Sequence, residues 1–256
     1  MHWGPEGLDP TALDGIDAVV HLAGESIVGR WTPEKKDAIR QSRVRGTRIL
    51  AEAMAQSANP PKTLVCASAI GYYGDRGDEI LTESSAPGHD FLAEVCEEWE
   101  AAAEPALKKN IRVVFMRLGV VLSSEGGALS KMLTPFRMGV GGVIGNGKQY
   151  WSWIGLDDVV GAIQFALETP ALRGPVNLVA PVPVTNREFT TALGRVLHRP
   201  TIFPLPGFVA KMLLGEMADA LLLASARVLP EKLKAAGFVY RHPDLDGALQ
   251  FALKKR

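Results

Sequence analysis

Short apolar runs alternate with longer amphipathic stretches along this chain. Asp17–Gly24 (DAVVHLAG) is almost continuously apolar and ends in small residues, which suits a strand buried on both faces of a parallel sheet. From Arg30 to Met54 the apolar positions move to helical spacing, with Ile39, Val44, Ile49, Leu50 and Ala53 on one face. Thr63–Ala69 predicts a second buried strand. Phe91–Leu107 predicts a helix with Leu92, Val95, Trp99 and Ala103 inward, and Arg112–Leu122 (RVVFMRLGVVL) a third strand. A helix over Asp157–Leu167 and one more strand over Val176–Ala180 follow. Strands alternating with helices imply crossover connections, hence an α/β fold with a parallel sheet.

After residue 180 the texture changes. Thr185 with Glu188 three residues on predicts a capped helix over Asn186–Leu197. The FPLPGF segment breaks the chain; Val209–Ala224 predicts a very apolar helix, and Pro230 starts another. The division expected is a sheet domain over 1–180 and a small, mostly helical, substrate-side lobe over 181–256.

Composition narrows the function classes. A hydrophobic fraction of 47% with 22% charged residues provides for a sizeable core. Lys+Arg and Asp+Glu balance at 28 each, so no global charge draws the chain to nucleic acid or to an anionic membrane. No apolar run reaches the roughly 18 residues of a membrane helix. The first ten residues, MHWGPEGLDP, lack the basic start and apolar core of a signal peptide. Two cysteines, Cys66 and Cys96, build no disulfide framework, which points to a reducing compartment and the cytoplasm. The five histidines show no ligand spacing, so no metal is expected.

In open parallel sheets, ligands bind beyond the carboxyl ends of the strands. Three such ends can be read. At Leu22-Ala23-Gly24 small residues let a ring or sugar approach the backbone, or merely permit close packing. At Ser68–Tyr73, Ser68 is a candidate donor to a carbonyl and Tyr72 a candidate acid, although strand-end serines commonly cap backbone groups. At Arg117-Leu118-Gly119 a strand-end arginine needs either an internal ion pair or an anionic ligand. Gly142–Lys148 (GVIGNGK) has the spacing of a phosphate-binding loop. Gln149 stands where Ser or Thr should hold magnesium, and no buried strand precedes it, so that reading is rejected. Tyr72 and Arg76 are four apart, but the glycines between and after them argue against a helix that would face them together.

The segments DAVVHLAG, RVRGTRILAEA, SAIGYYG, MRLGVVL and WSWIGLDDVVGAI with VNLVAPVPVTNREF resemble the extended short-chain dehydrogenase/reductase family, the NAD-dependent epimerase/dehydratase superfamily. AGESIVGRWT, GGALSKMLTPFRMGVGGVIGNGKQYWSWI and LLGEMADALLLASARVLP are similar to its atypical branch. That branch holds a human epimerase-family protein and bacterial and plant relatives often called cell-division inhibitor homologues. The resemblance covers essentially the whole chain and implies a Rossmann-like fold. Two departures stand out. The family opens on a strand, a G-x-x-G-x-x-G turn and a helix that cradle the cofactor pyrophosphate. Here His2-Trp3-Gly4-Pro5 matches the family's third strand instead. The expectation is a truncated sheet lacking its first strand–helix–strand, with an apolar edge beside Asp17–Gly24 and weak dinucleotide binding. The family's Tyr-x-x-x-Lys dyad is also missing: with the register set by Glu100, those positions hold Leu92 and Cys96.

The resemblance implies NADP as cofactor, with NAD as the other possibility, contacted by Leu22, Ala23, Gly24, Arg43 and Arg117. An arginine at such a site suits the 2′-phosphate of NADP; for Arg43, on an amphipathic helix, a solvated face is the plain alternative. Tyr72 and Ser68 remain as catalytic candidates. Tyr150, Trp151 and Trp153 line the substrate side or fill the core. The function expected is an NADP-binding oxidoreductase or epimerase-like protein acting on an unknown small molecule, a nucleotide-sugar among the options. The rival is a non-catalytic cofactor-binding module linked to cell or organelle division. The sequence carries no signal of oligomeric state.

Overall fold

The computed structural model describes residues 7–254. Strand β1 (Ala18–His21) crosses over through helix α1 (Pro33–Gln56) to β2 (Thr63–Ala69). The α1 start is fixed by Thr32, whose side chain accepts from the Lys35 amide, and by Pro33 at the first helical turn. Its face of Ile39, Leu50, Ala51 and Met54 is buried. β2 is buried along nearly its whole length, as expected for a strand covered on both faces. It ends in a 3₁₀ turn over Ile70–Tyr73, followed by the short β3 (Ile80–Leu81).

Two of the expected elements are divided. The helix over 91–107 is α2 (Phe91–Ala101) plus α3 (Glu104–Lys108). Pro105 lacks an amide hydrogen and is tolerated best at a helix start, and it falls in the first turn of α3. The strand over 112–122 is β4 (Arg112–Leu118) plus β5 (Val120–Leu122), separated at Gly119. A side chain at Gly119 would stand 2.5 Å from the Ser152 carbonyl oxygen, so only glycine lets the chain change sheets there. Helix α4 (Gly127–Arg137) was not anticipated. β6 (Tyr150–Trp151), β7 (Trp153–Gly155), α5 (Leu156–Glu168), β8 (Gly174–Leu178) and β9 (Val184–Thr185) follow.

Helix α6 (Asn186–Leu197) carries the expected capping box: Thr185 accepts from the Glu188 amide and Glu188 reaches back to the Thr185 amide. The apolar helix expected over 209–224 is broken. α7 (Gly207–Leu214) stops at Gly215, whose φ of +60° lies in the left-handed region, and α8 (Glu216–Ala218) runs into a wide turn over Asp219–Leu223. β10 (Arg227–Val228), α9 (Glu231–Ala235) and α10 (Leu245–Leu253) complete the chain.

The main sheet is parallel, in the order β1-β2-β4-β8. On one face it packs Leu50, Met54, Trp99 and Ala103; on the other, Ile154, Val159, Ala162 and Leu233. A third cluster joins Trp151, Trp153, Phe189 and Leu249. Pairing crosses position 180: β9 runs antiparallel to β6, and β10 lies parallel to β3. Among the described residues β1 pairs only with β2, and Val20 is 39% exposed. No helix among the described residues is long and apolar enough to cross a membrane.

Candidate functional site at the strand ends

Beyond the carboxyl ends of β2, β4 and β8 the chain builds a buried polar network. Arg117, at the end of β4, donates from Nε to Glu100 Oε1 and from Nη2 to Glu100 Oε2, each at 2.8 Å. Its Nη1 donates to the Tyr73 hydroxyl at 3.0 Å. Ser68 donates to the same Glu100 Oε1 at 2.7 Å, and Tyr73 donates to Asn177 Oδ1 at 2.6 Å. Asn177 donates onward to Leu229 O from Nδ2 and to Glu83 Oε1 from its backbone. Burial pulls the Arg117 guanidinium toward neutrality, but the hydrogen bonds and charge of Glu100 outweigh it and hold the proton more firmly than usual. Burial pushes the Tyr73 phenol up.

This geometry gives two of the candidate residues partners inside the protein. Arg117 is 2% exposed and paired inside the protein, so it braces the strand ends from within. Ser68 is equally buried and donates its hydroxyl proton to the Glu100 carboxylate. Tyr72 is placed differently. The Arg117 guanidinium carbon stands over its ring, 3.4 Å from the centroid, and the ring is edge-on to Tyr73 at 5.3 Å. Tyr72 is half-buried and Tyr73 fully buried, side by side on a 3₁₀ turn.

The second group lies beyond β1. Leu22 is exposed, and Ala23 and Gly24 follow in open chain. Arg43, on α1, reaches up to this segment. A side chain at Gly24 would meet the Arg43 Cζ at 3.3 Å, so glycine is what lets the guanidinium lie against the strand end. Arg43 Nη1 donates to the carbonyls of Glu25 and Ile39, and its Cζ sits 5.2 Å from the Trp99 ring centroid. Partial burial lowers its pKa. The reading of Arg43 as a solvated helix face is therefore replaced by a tethered, inward-leaning cation. Leu22, Ala23, Gly24 and Arg43 are brought together; Arg117 stands apart from them in its own network.

Leu92 and Cys96 occupy the stripe of α2 that faces the end of β2. A side chain at Gly71 would meet Leu92 Cβ at 3.3 Å and Cys96 Sγ at 3.9 Å. Burial pushes the Cys96 thiol up to about 12, leaving it protonated and inert. Glu100 continues the same stripe one turn further on. In the sequence it served only as a register mark, and the i, i+4, i+8 spacing of Leu92, Cys96 and Glu100 was the available sign that a carboxylate faces Arg117. Asn177 and Glu83 carried no sign at all, because their partners are 104 and 94 residues distant.

The aromatics of the WSW segment are core. Trp151 and Trp153 are buried, with Trp151 edge-on to Phe189 at 5.3 Å. Tyr150 instead carries Arg227 over its ring. The loop over 142–148 is held by bridges from Gly142 to Ile202 and Ile144 to Leu205, and by Gln149, whose side-chain amide donates to Ile144 O and Leu222 O.

Comparison with known proteins agrees with this architecture. Residues 9–178 match the NAD dependent epimerase/dehydratase family, and residues 205–252 match a domain of unknown function. An epimerase family protein of Mycobacterium bovis is 46% identical over 98% of this chain and 84% of its own length. The crystal structure of human epimerase family protein SDR39U1 (isoform 2) with NADPH superposes with a TM-score of 0.87 at 35% identity, covering 98% of this chain and 88% of that one. A nucleoside-diphosphate sugar epimerase from Corynebacterium glutamicum superposes at 0.77 and 38% identity, over 98% of this chain and 50% of that one. With its parallel sheet, its open strand ends and a family match running through β1, β2, β4 and β8, the chain belongs to the NAD dependent epimerase/dehydratase family.

Proposed function

We propose that this protein binds a nicotinamide dinucleotide, NADP(H) in preference to NAD(H), across the carboxyl ends of β1 and β2, and acts as an oxidoreductase or epimerase-like protein on a small molecule. The observation that carries this reading is the Arg43 guanidinium held 3.3 Å from the place a side chain would take on Gly24. A tethered cation beside an exposed, small-residue backbone fits the ribose-phosphate end of such a cofactor. Leu22, Ala23 and Gly24 would supply backbone contact, and Arg43 the charge. The NADPH bound by the human relative supports the choice. When bound, the cofactor supplies hydride transfer. Tyr72, kept in place by Arg117 against its ring, is the residue left to donate a proton or hydrogen bond to a substrate oxygen. Both cysteines are free and buried, which suits a cytoplasmic setting.

A second reading is a cofactor-binding module without catalysis. It is favoured by Leu92 and Cys96, which supply neither the acid nor the cation of the family's dyad.

Titration with NADPH and NADH, followed by cofactor fluorescence, tests the main reading. The ratio of NADPH affinity between wild type and Arg43→Ala is the informative quantity. NADPH should bind tighter than NADH, and Arg43→Ala should weaken NADPH by about tenfold or more, the worth of a charge-assisted hydrogen bond. Equal NADPH binding by wild type and Arg43→Ala would remove the placement. Turnover of a carbonyl panel then separates catalysis from the module reading.

A further inference from the structure

The segments over 137–145 and 199–207 run side by side at the surface. Arg199 donates from Nε to the Arg137 carbonyl at 2.9 Å, and a side chain at Gly139 would meet Pro200. Gly142 bridges to Ile202, and the Leu205 amide donates to Val143 O at 2.8 Å. Helix α7 continues the second segment. Its Ala210 is buried and its Leu214 packs with Trp31 and Met217, which turns Phe208, Met212 and Leu213 outward. Met138, Val140, Ile202 and Phe203 of the paired segments are exposed as well, so these large apolar side chains form a patch and not scattered single contacts with solvent. Phe208 is 73%, Met212 75% and Ile202 72% exposed. Side chains this bare project from the surface, whereas those lining a ligand pocket are shielded by its walls.

The charge of this surface is one-sided. The chain as a whole is balanced, but no aspartate or glutamate occurs over 126–156 or over 189–215, the two stretches that build the patch. Their cations are Lys131, Arg137, Lys148, Arg195, Arg199 and Lys211. Arg195 pairs with Asp246 and Lys211 with Asp219, carboxylates from outside these stretches, and the nearby Glu216 pairs with Lys36. Among the described residues Lys131, Arg137, Lys148 and Arg199 enter no ion pair, which leaves positive charge without compensation beside the apolar side chains. Lys131 lies two turns before Met138 on the same side of α4, and Arg137 adjoins it.

We infer that this face docks on an anionic lipid surface, with Phe208, Met212 and Leu213 entering the boundary between headgroups and acyl chains and Lys131 and Arg137 set against lipid phosphates. Projecting apolar side chains in a basic surround match such a surface in both shape and charge. No described helix is long and apolar enough to cross a membrane, so the attachment is peripheral. A second copy of the chain fits less well: a two-fold contact sets the face against itself and brings uncompensated cations opposite cations. A protein partner would have to supply both a groove for the projecting side chains and the negative charge.

The experiment mixes the whole chain with two kinds of vesicle, pure phosphatidylcholine and phosphatidylcholine with phosphatidylglycerol in equal parts, and measures the bound fraction by flotation. Wild type should float with the mixed vesicles, stay behind with pure phosphatidylcholine, and be released by about 0.5 M salt. Phe208→Ser with Met212→Ser should weaken binding about tenfold or more. Lys131→Gln with Arg137→Gln should weaken it about tenfold. All four positions are exposed, so both variants should keep the wild-type urea midpoint. Should the serine pair shift that midpoint, Met212→Gln alone should still weaken binding about threefold or more. Wild type that fails to float with the mixed vesicles overturns the inference, as does equal binding to both kinds of vesicle, or equal binding by wild type and variants. A dimer in sedimentation equilibrium that Phe208→Ser with Met212→Ser dissolves overturns it too, because it gives the face to a second copy.

Discussion

Glu100 grips Arg117 through two parallel hydrogen bonds, Nε to Oε1 and Nη2 to Oε2, both 2.8 Å long and both shielded from solvent. The planar fork of a guanidinium matches a carboxylate in this way and no lysine could replace it. The pair joins α2 to the end of β4, and through Ser68 and Tyr73 it reaches β2 and β8.

Removing one charge from such a pair leaves the other buried without compensation. Glu100→Gln should therefore destabilise the fold by about 3–5 kcal/mol. Urea denaturation of wild type and variant measures it. A loss below about 1 kcal/mol would mean that water already reaches the guanidinium.

The two neighbouring tyrosines should separate stability from activity. Tyr73→Phe strips a partner from both Arg117 and Asn177 in a fully buried place, so it should cost about 1–3 kcal/mol. Tyr72→Phe keeps the ring that Arg117 covers and should change stability by less than about 0.5 kcal/mol. If the cleft is catalytic, Tyr72→Phe lowers turnover while cofactor affinity stays nearly constant. Equal denaturation losses in both variants would contradict the division of roles.

Restoring the family's dyad should fail. Cys96 is 4% exposed and close enough to Arg43 and Arg117 to feel their charges. A lysine there would be a buried cation beside two arginines, with the nearby Glu100 carboxylate already committed to Arg117. Leu92→Tyr with Cys96→Lys is expected to lower the melting temperature and to yield no turnover of simple ketones. A stable, active double variant would refute this.

Alkaline pH should weaken the protein through its thiols. Burial raises both Cys66 and Cys96 from the ordinary 9.0 to about 12. A raised folded-state pKa adds stability that is complete below about pH 9, where the unfolded thiols are also protonated, and is lost between about 9 and about 12. The urea midpoint should fall between pH 8 and pH 10.5 or so, and fall less in the Cys66→Ala, Cys96→Ala double variant. A thiol reagent at about pH 8 should label neither cysteine in the folded protein.

Local pattern was enough to determine the framework. The apolar runs became β1, β2, β4 and β8, because a strand covered on both faces favours apolar side chains along most of its length. The α6 cap was legible because its two partners are three residues apart. Helix interruptions at Pro105 and Gly215 were written in single residues, yet periodicity alone ran through them, since apolar spacing continues across a break of one residue.

What tertiary structure decided was the company each polar side chain keeps. Whether Arg117 faces a phosphate or a carboxylate depends on a helix 17 residues away, and whether Tyr73 is an acid or a strut depends on Asn177, 104 residues away. Arg43 was equally open until the turn after β1 brought Gly24 against it. A charged group inside a protein must find a partner, so the sequence could announce the need. Only the packing of separate strands and helices, which sets distances between residues far apart in the chain, could choose who meets it.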